Sequence, residues 1–422
     1  MKVLIVGGGG REHAIAWKLA QSPKVHEIVC APGNAGIAQV ARCVGGADAE
    51  DVGAMARLAE TEKPDLVVIG PEVPLALGLT DLIEAKGIPV FGPNKKCSRL
   101  EASKSFTKDF LIRHGIPTAK SRVFTDKDEL LSSIGLYGYP MVLKADGLAA
   151  GKGVVLAADE NEARQAIEEM MGDRVFGEAG DTVVVEECLV GVEASVLCFV
   201  DGSALVPMES AQDYKRIFDE DKGPNTGGMG TYSPSLVFTG KLNAQIRERI
   251  LEPTFAGFKK DGLDFRGVLF IGLMMTDEGP KVIEFNNRFG DPETQSVLRR
   301  LESDLLDIFV AVTEDRLAQQ EITWSDERAV CVALASAGYP GPYEKGKPIS
   351  GLDAVEDGIV VFHAGTTFGK DGVILTNGGR VLGVTATGKT HDEARAKAYA
   401  NVSRITFDGA HYRGDIGVVY GA

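Results

Sequence analysis

The sequence predicts an α/β domain with a parallel sheet at the N-terminus, then a mixed α/β region and a smaller α+β domain. Over the first part of the chain, short apolar segments alternate with helical patterns. Further on, strands and helices are mixed, and short strands separated by glycine turns begin near Arg328. A chain of 422 residues accommodates about three domains. We therefore expect domains at 1–101, 102–327 and 328–422, with a subdomain at about 120–190.

The N-terminal domain is predicted from the order of its elements. Its strands are "KVLIVG", "HEIVCAPG", "PDLVVIGPE" and "IPVFGP". Its helices are "REHAIAWKLAQ", "DVGAMARLAETEK" and "LGLTDLIEAKG". Because apolar strands alternate with helices, the sheet should be parallel and covered on both faces. Ligands of such sheets bind at the carboxyl ends of the strands, where the turns "GGGG", "APGNAG" and "GPEVP" lie.

The rest of the chain has a more mixed pattern. The central region is predicted to contain the helix "KSFTKDFLIRHG", the strands "YPMVLKAD", "GVVLAA" and "DTVVVEECL", and helices at 160–171 and about 239–261. Two hairpins are expected, "VEASVLCFVDGSALVP" and "RGVLFIGLMMTDEGPKVIEFN", with a loop-rich segment at 209–234 between them. The C-terminal unit combines the strands of "RAVCVALA", "VVFHAGT" and "VILTNGGRVLGVTATG" with the helix "HDEARAKAYANVSRI".

Composition excludes some classes of function. The net charge of -15 and pI near 5.0 argue against a nucleic-acid-binding protein, which normally has a basic face. Any anionic ligand must therefore be held by local basic groups. The six cysteines are scattered without a CxxC pair, which is typical of free thiols in a reducing compartment. Because no apolar run is long enough for a membrane span and no signal peptide is evident, we expect a cytoplasmic protein.

The turn "VGGGGREHA" suggests a phosphate site at the start of a helix. It fails the dinucleotide fingerprint, because the sixth position counted from Gly7 is Glu12 rather than glycine. The second strand also ends in Ala31 and Pro32 rather than in the acid that holds a ribose. Backbone N–H groups at a helix N-terminus suit a single phosphate, and Arg11 lies beside them. The alternative is a tight turn without a ligand.

The stretch "VLKADGLAAGKGVV" places one lysine on a strand and a second in a loop of small residues. It is not a Walker A loop, because the spacing of Gly147 and Gly151 is too short and Gly153 follows the lysine. A loop of glycine and alanine can lie closely over a polyphosphate and can move. Lys144 on the strand would hold a fixed phosphate. The alternative is a surface hairpin with solvated lysines.

The segment "KVIEFNNRFGDPET" predicts a metal–phosphate platform. Alternate residues of a strand share a face, so Glu284, Asn286 and Arg288 should point one way while Phe285 and Asn287 point the other. Carboxylate and amide oxygens suit Mg²⁺, and an arginine can grip phosphoryl oxygens with two donors. A solvated strand face is the alternative.

Two further segments carry weaker signals. "VVVEECLVGVE" resembles an adenine hinge, in which backbone groups at 186–189 would pair with the base and Glu193 with ribose hydroxyls. An ordinary strand and turn is the alternative there. "GPNTGGMG", which follows "SAQDYKR", is interpreted as a loop that exposes backbone N–H groups. A flexible surface loop is its alternative.

Together these motifs resemble the ATP-grasp superfamily. The segments "GGREHAIAWKL", "KADGLAAGKGV", "QDYKR", "GPNTGGMG", "VIEFNNRFGDPETQ" and "TNGGRVLGVTA", in this order, resemble the glycinamide ribonucleotide synthetase family within it. Members of that family join 5-phosphoribosylamine to glycine in purine biosynthesis, with ATP converted to ADP and phosphate. The resemblance implies a Rossmann-like phosphosugar-binding domain, a two-part ATP-grasp domain with a lid subdomain, and a C-terminal α+β domain. Departures are Gly8, where relatives often carry Asn, "RIFDEDK", and the non-acidic strand "IGLMM".

The resemblance also implies roles for individual residues. Catalytic roles are expected for Arg288, Lys144 and Lys152. ATP contacts are expected from Lys104, Lys144, Gly147, Gly151, Gly153, Glu186, Glu187, Leu189 and Glu193. Mg²⁺ or Mn²⁺ would be held by Glu284 and Asn286. The other substrates would be bound by Gly8, Gly9, Gly10, Arg11, Gly33, Asn34, Glu72, Asp213, Lys215, Asn225, Thr226, Gly227, Gly228, Arg288 and Asp291.

The expected chemistry is attack of the glycine carboxylate on the γ-phosphate of ATP. The amine of phosphoribosylamine would then displace phosphate from the resulting acyl phosphate. The loop 147–153 would close over this intermediate to exclude water. We expect the phosphosugar between the glycine-turn domain and "GPNTGGMG", with Asp213 nearby, and no nucleic-acid, membrane or obligate protein partner.

Three alternatives stay open at this point. A related purine-pathway enzyme would use formate or bicarbonate in place of glycine. A nicotinamide dehydrogenase rests on "GGGG" alone, and a non-catalytic nucleotide sensor would not need the full set of lysines and metal ligands.

Overall fold

The structure, a computed structural model, describes residues 1–148, 153–238 and 240–418. The predicted residues Gly151 and Lys152 therefore lie outside the described residues. Among the described residues, no helix is both long and apolar enough to cross a lipid bilayer.

The N-terminal part of the chain forms a five-stranded parallel sheet in the order β3-β2-β1-β4-β5. Its strands are β1 (Lys2–Gly7), β2 (Glu27–Pro32), β3 (Arg42–Cys43), β4 (Leu66–Ile69) and β5 (Val90–Phe91). Its helices are α1 (Gly10–Leu19), α2 (Val52–Glu62), α3 (Glu72–Leu77), α4 (Leu79–Glu84) and α5 (Lys95–Ala102). The predicted parallel α/β fold is confirmed.

Strand β1 shows why this sheet is buried on both faces. Val3 and Ile5 belong to one apolar cluster, with α1 on that side. Leu4 and Val6 belong to another, with α2, α3 and α4. Because neighbouring residues of a strand point to opposite faces, an entirely apolar strand needs helices on both sides.

The next region contains a four-stranded antiparallel sheet in the order β6-β9-β7-β8. Its elements are α6 (Lys104–Arg113), β6 (Ser121–Phe124), α7 (Lys127–Ser132), β7 (Met141–Ala145), β8 (Val154–Ala157), α8 (Glu160–Ile167) and β9 (Val183–Glu187). Helix α8 is shorter than predicted and continues as a π-helical turn at Glu168–Gly172. The sheet has its own apolar cluster, which includes Phe124, Leu143 and Ile167.

A second antiparallel sheet follows along the chain, in the order β11-β10-β16-β17. The elements from here to the C-terminal unit are β10 (Val192–Val200), β11 (Leu205–Pro207), β12 (Gln212–Asp213), β13 (Arg216–Phe218), β14 (Lys222–Asn225), β15 (Gly230–Ser233), α9 (Gly240–Ile246), α10 (Glu252–Asp261), β16 (Gly267–Thr276), β17 (Gly279–Asn286), α11 (Glu293–Val297) and α12 (Leu305–Thr313). Both predicted hairpins, β10–β11 and β16–β17, are present. Phe309 of α12 belongs to the same apolar cluster as Val3 of β1. Helix α12 contacts both β5 and β16, so it joins the N-terminal sheet to the second antiparallel sheet.

The C-terminal unit is built on an antiparallel sheet in the order β12-β15-β18-β22-β19. Its own elements are β18 (Arg328–Ala335), β19 (Val360–His363), β20 (Thr366–Phe368), β21 (Ile374–Thr376), β22 (Arg380–Gly388) and α13 (His391–Val402). Two of its strands, β12 and β15, lie within 209–234, the segment predicted to be loop-rich. Strand β15 belongs to this sheet because it pairs with β18 from Gly230 to Ser233. The boundaries at 101 and 327 remain predictions.

Helix α1 meets β19 through two buried histidines. The N–H of His363 donates to Nδ1 of His13 at 2.8 Å, and Nδ1 of His363 lies 3.0 Å from Thr366 Oγ1. Burial lowers the pKa of His13 from 6.5 to about 3 and that of His363 from 6.5 to about 4. Both rings are therefore neutral in the folded protein and become protonated on unfolding below pH 6.5.

This contact predicts a loss of stability in acid. The stabilising contribution is complete above the unfolded pKa and is lost as pH falls from 6.5 towards 4. At pH 5 each histidine should cost about 2 kcal/mol of unfolding free energy. Urea unfolding at pH 7 and pH 5 should show a smaller difference for His363→Gln than for the wild type. The exposed His26→Gln should behave as wild type, and an unchanged pH dependence in His363→Gln would contradict the assignment.

Candidate active site

A cavity of about 470 Å³ lies at the carboxyl ends of the parallel strands. The glycine turn and the loop after β2 form one wall, and Ala364–Thr366 and Asn377 of the C-terminal unit form the other. Residues 225–228 are not part of its lining. The opposite wall comes from the β19–β20 turn and the β21–β22 turn. Arg380 donates to the carbonyls of Gly228 and of Asp291 on the cavity wall, and a phosphosugar between the glycine turn and "GPNTGGMG" stays a prediction.

The glycine turn donates backbone N–H groups to carboxylates. Gly9 N–H binds Glu12 Oε2 at 2.6 Å, and Arg11 N–H approaches Asp291 Oδ2 at 3.4 Å. A Cβ on Gly8 would lie 2.6 Å from the carbonyl oxygen of Gly33, so the two loops touch through their backbones. The N–H groups of Gly9 and Arg11 thus face carboxylates in this structure, and a phosphate site at the glycine turn stays a prediction.

Arg11 and Asn34 are placed at the cavity wall by internal contacts. The Arg11 guanidinium donates to Glu12 Oε1 at 2.6 Å and to the Phe289 carbonyl at 3.2 Å. Asn34 donates to the carbonyls of Gly8 at 2.9 Å and His363 at 2.7 Å. Its Oδ1 accepts the N–H groups of the following helical turn. Asn34 thus joins three segments that surround the cavity.

Asp291 links the cavity to the C-terminal unit. Its Oδ1 accepts from Gln295 Nε2 at 2.9 Å and lies 3.4 Å from the Arg380 guanidinium. Burial opposes ionisation of this carboxyl, but the charges of Arg380 and Arg11 outweigh burial and lower its pKa. The cavity wall is otherwise acidic, with Glu12, Asp48 and Glu50.

Strand β17 presents its polar side chains as the alternation predicts. Glu284 Oε1 accepts from Asn286 Nδ2 at 3.3 Å, and Asn286 Oδ1 lies 3.5 Å from an Arg288 nitrogen. Phe285 lies in an apolar cluster on the other side. The side chain of Asn287 also turns that way, where it donates to the Ser98 carbonyl at 2.9 Å.

Arg288 is held by two carboxylates. Its NH2 lies 3.1 Å from Glu101 Oε1, and its Nε lies 3.4 Å from Glu72 Oε2. Burial opposes the charge of Arg288, but Glu101 and Glu72 outweigh it and raise the pKa. Glu101 was not predicted. It lies near the end of α5, three residues before Lys104 at the start of α6, and no motif in the sequence marks it.

Lys215 lies among acidic side chains. Its Nζ is 3.3 Å from Glu193 Oε2, and a small cavity brings it together with Asp213 and Glu284. Burial opposes the charge on Lys215, but Glu193, Asp213, Glu284 and Glu293 outweigh it and raise its pKa. Asp213 thus lies near Glu284 and does not line the cavity beside the glycine turn, and burial raises its pKa.

Two of the predicted lysines lie near Glu284 of β17, Lys144 buried and Lys104 half-buried. Lys104 Nζ donates to the Gly147 carbonyl at 2.9 Å. Lys144 Nζ lies 3.1 Å from Glu186 Oε2 and 3.4 Å from the Ile283 carbonyl. The hinge residue Glu187 accepts the N–H of Lys120 at 3.0 Å. Leu189 lies two residues after Glu187, and Gly153 is the first described residue after 149–152.

The segment "GPNTGGMG" uses its N–H groups inside the protein. The N–H groups of Thr226 and Gly227 donate to the Lys215 carbonyl at 2.7 Å and the Tyr339 hydroxyl at 2.9 Å. Gly228 donates to Thr226 Oγ1 at 2.9 Å. Asn225 is the last residue of β14 and pairs with Arg216. The interpretation of a loop with free N–H groups is wrong, because these three N–H groups have acceptors within the protein. The acceptors Lys215 and Tyr339 are distant in the chain, so the sequence pattern does not reveal them.

Glu284 and Asn286 fit the predicted metal. Burial opposes ionisation of Glu284, but Lys215 and Lys144 outweigh it and lower the pKa, so the carboxylate is charged. A carboxylate and an amide oxygen are two hard ligands, which suits an ion whose other ligands are phosphate oxygens and water. Among the described residues, no group of three or more His, Cys, Asp or Glu side chains is arranged to hold an ion.

Comparison with known proteins agrees with this arrangement. The phosphoribosylglycinamide synthetase N domain, ATP-grasp (A) domain and C domain match residues 1–101, 102–294 and 329–419. The phosphoribosylamine–glycine ligase of Caldanaerobacter subterraneus is 48% identical over 420 residues, covering 100% of both chains. The trifunctional purine biosynthetic protein adenosine-3 of Gallus gallus is 50% identical over 99% of this chain, which spans 42% of that protein.

Solved structures give the same result. A phosphoribosylamine–glycine ligase from Thermotoga maritima has a TM-score of 0.87 at 34% identity, covering 99% of this chain and 100% of that one. A biotin carboxylase domain from Hydrogenobacter thermophilus, with a TM-score of 0.75 at 16% identity over 97% of this chain and 91% of that one, shares the fold. The resemblance inferred from the motifs is confirmed, and the chain belongs to the phosphoribosylglycinamide synthetase family of ATP-grasp proteins.

Proposed function

We propose that this chain is an ATP-dependent ligase that joins 5-phosphoribosylamine to glycine in de novo purine biosynthesis. The products are glycinamide ribonucleotide, ADP and phosphate. The observation that carries the proposal is the polar face of β17, where Glu284, Asn286 and Arg288 lie near the buried lysines. The family match along the whole chain supports it.

The chemistry proceeds through glycyl phosphate. A carboxylate does not condense with an amine unaided, because hydroxide is a poor leaving group, whereas phosphate is a good one. Lys104 and Lys144 hold the ATP phosphates, and Arg288 faces the transferring group. Such transfer depends mainly on positioning and charge neutralisation. Mg²⁺ or Mn²⁺ on Glu284 and Asn286 would supply further neutralisation between phosphates.

The nucleotide base and the lid complete the ATP site. Backbone groups of 186–189 pair with adenine, and Glu193, which forms an ion pair with Lys215, accepts from the ribose. The loop 147–153, with Gly151 and Lys152, closes over the acyl phosphate, which water would otherwise hydrolyse.

The phosphosugar occupies the large cavity beside the glycine turn. The carboxylates of Glu12, Asp48 and Glu50 on its wall suit the hydroxyl and amine donors of the sugar. Arg11 supplies positive charge for the phosphate, and Asn377 supplies amide donors from the opposite wall. Asp213 and Lys215, which lie near Glu284, serve the glycine side. The segment 225–228, which Arg380 joins to Asp291, faces the phosphosugar.

This placement predicts the effect of Asn377→Ala. The KM for phosphoribosylamine should rise about three- to tenfold, the cost of one lost hydrogen bond, while the KM for ATP stays unchanged. Steady-state ADP release at varied phosphoribosylamine measures it. The exposed Asn161→Ala is the control, and an unchanged KM for phosphoribosylamine would place the sugar elsewhere.

The function itself is tested by ADP release with phosphoribosylamine generated in situ. ADP should appear with glycine and not with formate or bicarbonate. Release with formate or bicarbonate would assign the chain to a related enzyme, and NAD binding detected by absorbance would favour a dehydrogenase. ADP release that needs no acid at all would refute the ligase assignment.

The state of the cysteines indicates the cellular compartment in which the enzyme acts. All six cysteines are free thiols, and burial raises the pKa of Cys30 and Cys198, as suits a reducing compartment. We therefore place the enzyme in the cytoplasm, acting on small molecules without an obligate protein partner.

A further inference from the structure

A third lysine lies beneath the proposed nucleotide site. Lys108 projects from α6 and is 4% exposed. Its Nζ donates to Thr118 Oγ1 at 2.6 Å and lies 3.2 Å from Glu186 Oε1. The hydroxyl of Thr118 in turn donates to the Val282 carbonyl at 2.7 Å. Lys108 is thus anchored to β17, two residues before Glu284.

Glu186 bridges Lys108 and Lys144. Its Oε2 lies 3.1 Å from Lys144 Nζ, and its other oxygen faces Lys108. Glu186 is 3% exposed and Lys144 is 6% exposed. Among the described residues, Glu186 is the one carboxylate that pairs with either lysine. Two cations therefore share a single buried anion.

The charge balance of this triad bears on ATP binding. With Lys108 present, the three side chains carry one net positive charge. Without Lys108, Glu186 would pair with Lys144 alone, and the net charge of this remaining pair would be zero. In a buried site such a charge is weakly screened, so its loss weakens binding of a polyanion. Burial lowers the pKa of Lys108 to about 8, which fits a lysine that depends on Glu186 for its charge.

We propose that Lys108 is a positioning residue for ATP binding, which engages Glu186 so that Lys144 remains available to a phosphate. The inference rests on the proposed function only in assigning a nucleotide phosphate to Lys144. Lys108 itself is not expected to touch ATP, because it is buried and its ammonium group is already engaged by Thr118 and Glu186.

A double-mutant cycle tests this role. Lys108→Met keeps the length of the side chain and removes its charge, and Glu186→Gln removes the anion. Calorimetric affinity for ATP should fall about tenfold or more in Lys108→Met. In the Glu186→Gln background the same change should have little effect, because there is no carboxylate left to neutralise Lys144. The KM for glycine should stay within about twofold, since distant sites act independently.

The controls separate positioning from folding. Arg113→Met lies on the same helix and removes an exposed ion pair with Asp261, so its ATP affinity should equal that of the wild type. Thermal unfolding reports any loss of stability in Lys108→Met. If Lys108→Met bound ATP weakly only because it was partly unfolded, adding Glu186→Gln to that variant would not restore its affinity for ATP.

Each outcome decides the proposal. An equal loss in both backgrounds would show that Lys108 acts without Glu186, and an unchanged affinity would show that it does not act on ATP; either overturns the inference. Because ATP binding is measured directly, the cycle stays informative even if glycine-dependent ADP release fails. That failure would contradict the proposed function alone.

Discussion

Replacing Arg288 with lysine is expected to lower kcat by about two to three orders of magnitude, the effect of removing one donor from a developing charge. The guanidinium lies between Glu101 at 3.1 Å and Glu72 at 3.4 Å, and a planar fork can satisfy both while it faces a phosphoryl oxygen. Lysine keeps the charge but has no fork. The ligase assay at saturating ATP, glycine and phosphoribosylamine measures the change.

The matched control is Arg300→Lys. Arg300 is also buried, with an ion pair to Glu209 at 2.9 Å and a hydrogen bond to the Glu327 carbonyl at 2.6 Å. Its replacement should lower thermal stability, while kcat stays within about twofold. If Arg288→Lys turned over as fast as the wild type, Arg288 would not lie at the reacting phosphate.

Replacing Glu284 with glutamine is expected to lower kcat/KM about 100-fold or more, because the principal anionic ligand of the proposed metal is lost. Glu284 is kept charged against burial by Lys215 and Lys144, so its neutral replacement also removes one of the negative charges near these two cations. The Mg²⁺ concentration that gives half-maximal activity should rise. A metal titration at fixed ATP, together with calorimetry of MgATP binding, measures both effects.

Glu278→Gln is the control for this prediction. Glu278 is exposed and pairs with Lys281 at 2.7 Å at the far end of the same hairpin, so its metal dependence should match the wild type. An unchanged Mg²⁺ requirement in Glu284→Gln would mean that the ion lies elsewhere.

Much of the fold could be predicted because it depends on short stretches of chain. The apolar run of β1 indicates a sheet covered on both sides, and Val3 and Leu4 do lie in different apolar clusters. The hairpin turn at Asp201 and Gly202 is also local, since Asp201 Oδ1 accepts the N–H groups of Ser203 at 2.7 Å and Ala204 at 2.8 Å. The alternation of Glu284, Phe285 and Asn286 follows from strand geometry alone.

Other features depend on partners far away in the chain. "GPNTGGMG" has the composition of an exposed loop, yet Gly227 donates to Tyr339 and Arg380 donates to its carbonyl. Glu101 and Lys108 lie in ordinary helical patterns, and their roles emerge only where they meet Arg288 and Glu186. Asn377 lines the cavity because the β21–β22 turn lies across it from the glycine turn.

The sequence by itself therefore determined the parallel sheet, the two hairpins, the family and the polar face of β17, because period and motif are properties of neighbouring residues. Tertiary structure decided which charges are shared. The pairing of Glu186 with two lysines, the clamp on Arg288 and the second wall of the cavity are such cases. The physical reason is that a buried charge is set by the groups that surround it in space, and chain order does not specify those groups.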